Sequence, residues 1–303
     1  MGLDPQARRA LQDLMGDAVS FDEPLARRTS MRLGGPAAAF AIVKDVDRLV
    51  GLLRWCKARS VSWTTIGMGS NLLVADEGFN GVVIRLGGDF SQVRFDDTLA
   101  IAGAAVPIVA LCREALKAGL GGVEALVGIP GSVGGAVRMN AGTDVEIGVL
   151  VERVQVVVAG EECRSYDKPE FSYRRSSLDP RAVVCAAELR LRRAHAGRSG
   201  EELLRRIKRR NATQPLDLPN SGSVFCNPPG KFAAALIESA GCKGRRIGDA
   251  QVSDKHANFI VNRGSATCRD VLSLIDEVRG AVARVHGVQL QLEIHVLHTD
   301  GST

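Results

Sequence analysis

Residues 126–142 read LVGIPGSVGGAVRMNAG, with glycines at 128, 131, 134, 135 and 142 and a proline at 130 among small apolar side chains. Glycine adopts positive φ without strain and lets a second backbone or a ligand come close. Proline at the centre holds φ near one value. One or two glycines would mark a structural turn between strands, but a cluster this dense points to a cradle along a cofactor. A second cluster stands upstream at 67–71, GMGSN, between the β-rich run VSWTTI and the apolar LLVA. Strand, turn and strand in that order gather backbone N–H groups, the Ser70 hydroxyl and the Asn71 amide into one nest suited to phosphate or pyrophosphate oxygens. Leu72 takes the third glycine position of a GxGxxG fingerprint and no helix is predicted after it, which disfavours a Rossmann dinucleotide fold. No GxxxxGK[ST] occurs, so a P-loop is disfavoured as well.

Outward from these clusters the chain alternates helix and strand signals. Residues 1–20 predict a short helix with Ala10, Leu11, Leu14 and Met15 as its apolar stripe. Asp45 caps a second helix that turns Leu49, Leu52, Leu53 and Cys56 inward. Between the two, Arg27, Arg28, Thr29 and Arg32 precede Gly34 and Gly35, either an anion-holding turn or an exposed lead into a strand. Strands are predicted at 81–86, 93–95, 99–103, 153–158 and 183–191, and Pro107 opens a helix that Gly119 ends. Residues 195–199, HAGRS, have a linker's composition and mark a boundary. Beyond it, EELLRRIKRR at 201–210 predicts an amphipathic helix with Leu203, Leu204 and Ile207 on one side. Its basic residues default to a solvated face, with polyanion binding as the minority reading. Thr267 and Asp270 have capping-box spacing, and the helix they start turns Leu274, Ile275, Val278, Val282 and Val285 inward until Gly287 ends it. The last strand, LQLEIHVL, alternates Leu290, Leu292, Ile294 and Val296 with Gln291, Glu293 and His295.

Length and composition bound the function. A chain of 303 residues is long enough for two or three domains. No apolar run approaches the roughly 18 residues of a membrane span. The N-terminus lacks a signal peptide's apolar core, so a cytoplasmic protein without membrane insertion is expected. Seven cysteines without a CxxC pair fit reduced thiols, mostly as small core residues. The histidines do not form a metal-ligand pattern. A net charge of +5 favours anionic ligands without specifying nucleic acid.

Three features carry candidate chemistry. Tyr173-Arg174-Arg175-Ser176 offers a planar cationic fork for a carboxylate or phosphate. One arginine of the two is expected to be a surface ion pair. Ser223 lies in a glycine- and proline-rich turn, where most serines bond only their own backbone. Glu293 is on the polar face of the last strand, where a solvated carboxylate is the default. No GxSxG motif is present. From the residues alone, the reading is a nucleotide-type cofactor region joined to a second α/β domain with an anion pocket.

Seven stretches in this order resemble the UDP-N-acetylenolpyruvoylglucosamine reductase (MurB) family: RRTSMRLGG, GMGSNLLVADEGFNGVVIRL, GIPGSVGGAVRMNAG, FSYRRS, NSGSVFCNPPG, DAQVSDKHANFIVN and GVQLQLEIHVL. The resemblance implies an α+β fold with an FAD-binding region of the vanillyl-alcohol-oxidase type, in two subdomains at 1–80 and 81–197, and an α/β substrate domain at 198–303. Gly67, Gly69, Ser70 and Asn71 would hold the FAD pyrophosphate. Ile129, Pro130, Gly131, Ser132, Gly134 and Gly135 would run along the cofactor. It further implies reduction of FAD by NADPH and hydride delivery to the enolpyruvyl group of a UDP-sugar by a monomer that binds no nucleic acid. Arg174 and Glu293 would serve the substrate carboxylate, Ser223 would be the proton donor, and Tyr173 and Asn227 would contact substrate. Cys226 stands where the family usually has a basic residue, and residues 143–146, TDVE, replace its usual small-aromatic-glycine run. The absence of an inserted tyrosine-bearing segment matches the family's compact subtype. The rival is another flavoprotein oxidase or dehydrogenase of the same fold; it would lack the serine of NSGSVFCNPPG and the terminal glutamate.

Overall fold

The structure, a computed structural model, describes residues 2–158, 160–194 and 198–301. The first unit contains helices α1 (Pro5–Met15) and α2 (Val46–Ala58) and strands β1 (Val19–Pro24), β2 (Pro36–Val43), β3 (Trp63–Thr65), β4 (Leu72–Val74) and β5 (Phe79–Leu86). Four of the strands form one sheet in the order β1-β2-β5-β3, leaving β4 outside it. Asp45 caps α2 by accepting from the Arg48 N–H at 2.8 Å, as its position predicts. In α1 the buried stripe is Ala7, Leu11 and Met15, while Leu14, expected inward, is exposed, because it falls about 100° round the helix from Met15.

The second unit contains β6 (Val93–Asp96), β7 (Leu99–Gly103), α3 (Ile108–Lys117), β8 (Leu120–Gly121), α4 (Val133–Arg138), β9 (Val151–Val158), β10 (Cys163–Asp167), β11 (Phe171–Ser172), β12 (Arg175–Ser176), β13 (Ala182–Arg190) and β14 (Arg192–Arg193). Its antiparallel sheet runs β10-β9-β13-β7-β6. The core residues Leu111, Val133, Val137, Val154, Val156 and Leu189 pack α3 and α4 against this sheet. Part of the predicted linker, residues 195–197, lies outside the described residues.

The third unit contains α5 (Arg198–Thr213), β15 (Asn220–Ser223), α6 (Ala233–Ser239), β16 (Arg246–Ile247), β17 (Ala250–Val252), β18 (Phe259–Asn262), α7 (Cys268–His286) and β19 (His295–Leu297), with sheet order β15-β18-β17-β16. Two elements reach out of it. Leu203 and Ile207 of α5 pack on the second unit's core, and β19 pairs in parallel with β4 of the first. Leu204, expected on the inward side of α5, is exposed, because the buried stripe runs through 203 and 207 and Leu204 falls about 100° away. Val285 of α7, also expected inward, is exposed; it lies in the last turn, just before Gly287 closes the helix with φ 66°.

The start of α7 joins the first and third units. Thr267 and Asp270 form the predicted capping box, which satisfies their own two N–H groups. The next two N–H groups, of Cys268 and Arg269, are taken by the carboxylate of Asp76 from the first unit, at 2.7 and 3.0 Å. A carboxylate at a helix N-terminus gains from both the hydrogen bonds and the helix dipole. Asp76→Ala is therefore expected to destabilise the chain by about 1–2 kcal/mol. Urea unfolding measures it, and an unchanged midpoint would show that water replaces the carboxylate without loss.

Candidate active site

Residues 290–297 run between two units, and Glu293 sits at the crossing. The Glu293 N–H donates to the Val224 carbonyl at 2.8 Å, and the Cys226 N–H donates to the Gln291 carbonyl at 2.9 Å. Two residues later the His295 N–H donates to the Asn71 carbonyl at 3.0 Å, and β19 continues along β4. The Asn71 side chain donates to the Glu293 carbonyl at 3.0 Å, so part of its amide is committed to the protein. The sequence predicts one strand over 290–297; the regular strand is confined to His295–Leu297 because the first half bonds to residues 224–226 instead. The predicted alternation survives, with Leu290, Ile294 and Val296 buried.

Arg174 occupies the turn between β11 and β12 with φ 58°, a left-handed conformation that costs a non-glycine residue roughly 1 kcal/mol. Its guanidinium lies 4.8 Å from the Tyr173 ring centre. Nε donates to Glu293 Oε1 at 2.6 Å and Nη2 to the Gly142 carbonyl at 3.2 Å, while Nη1 is 3.5 Å from Glu146 Oε1. Arg175, next to it, is exposed. The Tyr173 hydroxyl accepts from the Asn227 N–H at 3.3 Å, and Asn227 Oδ1 accepts from the Ala233 N–H at 2.9 Å at the start of α6. Tyr173, Arg174, Asn227 and Glu293 thus meet although they span more than a hundred residues.

Burial is the largest influence on the Glu293 carboxyl and pushes its pKa up, with Arg174 opposing. Burial also works against the charge on Arg174, but Glu293, Tyr173 and Glu146 outweigh it and hold that pKa above the ordinary value. The Cys226 thiol is pushed up chiefly by burial. His295 is pushed down by burial, with Nε2 3.0 Å from Met139 Sδ.

Both glycine clusters face this site. A Cβ on Gly67 would lie 2.7 Å from Ser132 Oγ, so the two clusters touch. Gly69, at φ 63°, would place a Cβ 2.2 Å from the Arg28 carbonyl, and one on Gly134 would lie 2.8 Å from the Ala104 Cβ. Protein packing explains these two. It does not explain Gly131 and Gly135, where a Cβ would make only ordinary contacts, 3.7 Å from Ser70 Oγ and 3.8 Å from Ser132 Oγ, and where φ is not positive. With Pro130 exposed beside them, they leave an open backbone face along which a flat cofactor can lie. Ile129 is half-buried against the second core, and buried Ser132 precedes α4. Ser223 lies between these features. Gly222 before it would place a Cβ 3.9 Å from the Ser70 carbonyl, and Val224 after it holds Glu293.

Sequence reasoning passed over two charged residues here. Glu146 beside Arg174 lay in a run read only as a departure from the family pattern. Arg210 was assigned to a solvated face, yet its side chain lies on Gly128 of the glycine stretch, bonds Gln214 at 2.7 Å and has its pKa lowered by burial. The signal was helical spacing, since 203, 207 and 210 share a face.

Comparison with known proteins agrees with this geometry. Residues 37–164 match the model of an FAD-binding domain and residues 214–297 that of the C-terminal domain of UDP-N-acetylenolpyruvoylglucosamine reductase. The fold is thus α+β, with an FAD-binding domain joined to the C-terminal domain of that reductase. The chain is 45% identical to a UDP-N-acetylenolpyruvoylglucosamine reductase of Heliobacterium modesticaldum, over 92% of this chain and 90% of that one. It is 42% identical to another of Symbiobacterium thermophilum, over 97% of each. The crystal structure of the Thermus caldophilus enzyme superposes with a TM-score of 0.79 at 36% identity, over 92% of this chain and 97% of that one. The chain belongs to the UDP-N-acetylenolpyruvoylglucosamine reductase family, whose members are FAD-dependent oxidoreductases.

The raised Glu293 pKa has a consequence for stability. The folded chain binds this proton more tightly than the unfolded one, so the contribution is fully present below the ordinary carboxylate range and is lost as pH rises through the raised value. The melting-temperature difference, wild type minus Glu293→Gln, is expected to shrink as pH rises from about 4, the ordinary glutamate value, through the raised one. A difference that grows with pH would mean that Arg174 dominates and holds Glu293 ionised.

Proposed function

We propose that this chain is a cytoplasmic enzyme that reduces the enolpyruvyl group of UDP-N-acetylglucosamine enolpyruvate, giving UDP-N-acetylmuramate for peptidoglycan precursor synthesis, with NADPH as reductant. The observation that carries the reading is the 2.6 Å Arg174–Glu293 pair, set between a serine-bearing turn and two glycine clusters in a chain of this family. Held along the two glycine clusters, FAD would supply the hydride chemistry, with NADPH as hydride source and the terminal carbon of the enolpyruvyl group as acceptor. In the proposed division of labour, residues 1–80 and 81–197 hold the cofactor and 198–303 hold the substrate. Gly67, Gly69, Ser70 and Asn71 offer N–H groups to the pyrophosphate, Ile129, Pro130, Gly131, Ser132, Gly134 and Gly135 line the cofactor, and Arg210 brings a cation to the same loop.

The protein's part in the chemistry is electrostatic and protic. Hydride addition next to an unsaturated carboxylate drives negative charge onto the carboxyl group, and a fixed donor there stabilises the transition state more than the ground state. Arg174 supplies that charge, oriented by Tyr173. Glu293, bonded to Arg174 at 2.6 Å and with its pKa raised by burial, sits with that arginine at the substrate carboxylate, where the guanidinium offsets its charge. The enolate then needs a proton at the carbon bearing the carboxyl group, and Ser223 donates it. Asn227 fixes the rim with Tyr173, and Cys226 leaves the position of the family's basic residue without charge.

Purified protein is expected to show flavin absorbance that NADPH bleaches anaerobically and that the enolpyruvyl substrate restores. A protein that stays colourless with added FAD would defeat the proposal. Ser223→Ala is expected to leave bleaching intact and to slow turnover by roughly 10²- to 10⁴-fold. Stopped-flow absorbance separates the two half-reactions, and unimpaired turnover would remove Ser223 from the donor role.

A further inference from the structure

The function proposed above uses one edge of the Arg174 guanidinium and leaves open what holds the rest of it. The geometry points to Glu146 as the residue that positions Arg174 for substrate. Arg174 is a long side chain in a strained two-residue turn, so its orientation has to be imposed from outside. Glu293 holds Nε, the Gly142 carbonyl holds Nη2, and on Nη1 the partner is Glu146 at 3.5 Å. That distance is an ion pair without a formed hydrogen bond, so Nη1 keeps its donors for a substrate carboxylate while the guanidinium is drawn to that side.

Glu146 is itself placed with care. Its Oε2 accepts from Asn140 Nδ2 at 2.6 Å. Asn140 is buried, and the same amide also donates to the Ser172 carbonyl at 2.9 Å while Oδ1 accepts from the Gly148 N–H at 3.0 Å. The carboxylate is thus fixed from the side opposite Arg174, and Ser172 is two residues before Arg174 on the same hairpin. The loop that carries Glu146 is anchored separately. Thr143 Oγ1 donates to the Ala125 carbonyl at 3.1 Å, Asp144 pairs with Arg206 of α5 at 2.9 Å, and Ile147 is buried in the second core. Within four residues, two carboxylates each hold an arginine from a different element.

Glu146 touches Arg174 and not the reacting atoms, so its loss affects the step that needs an aligned guanidinium and spares the other. This inference rests on the proposed reaction. The test measures both half-reactions of the FAD-loaded wild type, Glu146→Ala and Glu146→Gln by anaerobic stopped flow. Both variants are expected to match the wild type in FAD content, melting temperature and rate of bleaching by NADPH, and to be reoxidised by the enolpyruvyl substrate at least tenfold more slowly. The glutamine retains an acceptor for Asn140 but has no charge for Arg174, so its failure to rescue assigns the effect to the ion pair. Reoxidation of Glu146→Gln within twofold of wild type would overturn the inference, as would an equal loss in both half-reactions or of FAD itself. A wild type that the substrate does not reoxidise would instead defeat the underlying reaction.

Discussion

Glu293 is held through its main chain by two units at once: its N–H donates to the Val224 carbonyl on one side, and its carbonyl accepts from the Asn71 side chain on the other. The segment around it belongs to no single sheet: residues 290–292 bond to the turn after β15, and residues 295–297 add a strand beside β4. This double attachment brings the carboxylate and the serine-bearing turn against the GMGSN nest. The contacts of Ser30 strengthen it, since its hydroxyl donates to the Asn220 carbonyl at 2.6 Å and its N–H to the Gly69 carbonyl at 3.0 Å. Asp76 on the start of α7 ties the same two units farther from the site.

Against that frame the second unit supplies the cation. Arg174 comes from a small hairpin and crosses to Glu293, so the ion pair is also a contact between units. An ion pair in such a place adds little to stability, because desolvation offsets most of the Coulomb attraction. Its use is positional: two groups of opposite charge stand where a substrate carboxylate would have to bind, and burial pushes the acid toward its neutral form. The cysteines show burial without such a role. Cys56, Cys112, Cys185 and Cys268 lie in the cores with thiols pushed up to about 12, which makes them poor nucleophiles.

The two glycine clusters divide by cause. Gly69 and Gly134 are glycine because protein backbone or a neighbouring side chain fills the space of a Cβ, whereas Gly131 and Gly135 have no such reason in the protein. Density of glycine in a sequence does not separate these cases, since steric need is set by residues distant in the chain.

What the sequence by itself determined is local or periodic. The cap at Asp45, the capping box at Thr267, the αL glycine at 287 and the alternation over 290–297 each follow from residues within a few positions of one another, and the family motifs marked Arg174, Ser223 and Glu293. Only the tertiary structure decided which sides of those residues are occupied. Glu146 carries no local mark and Arg210 only its helical spacing with Leu203 and Ile207, because a carboxylate in a loop and an arginine on a basic helix look solvated until another element approaches. Leu204 and Val285 were misread for the converse reason, since periodicity describes a face but not where the surface it packs on ends. Helix and strand patterns arise from neighbours in the chain, whereas the environment of a charged group is set by long-range packing, which brings Arg174, Glu146 and Glu293 together from three separate stretches.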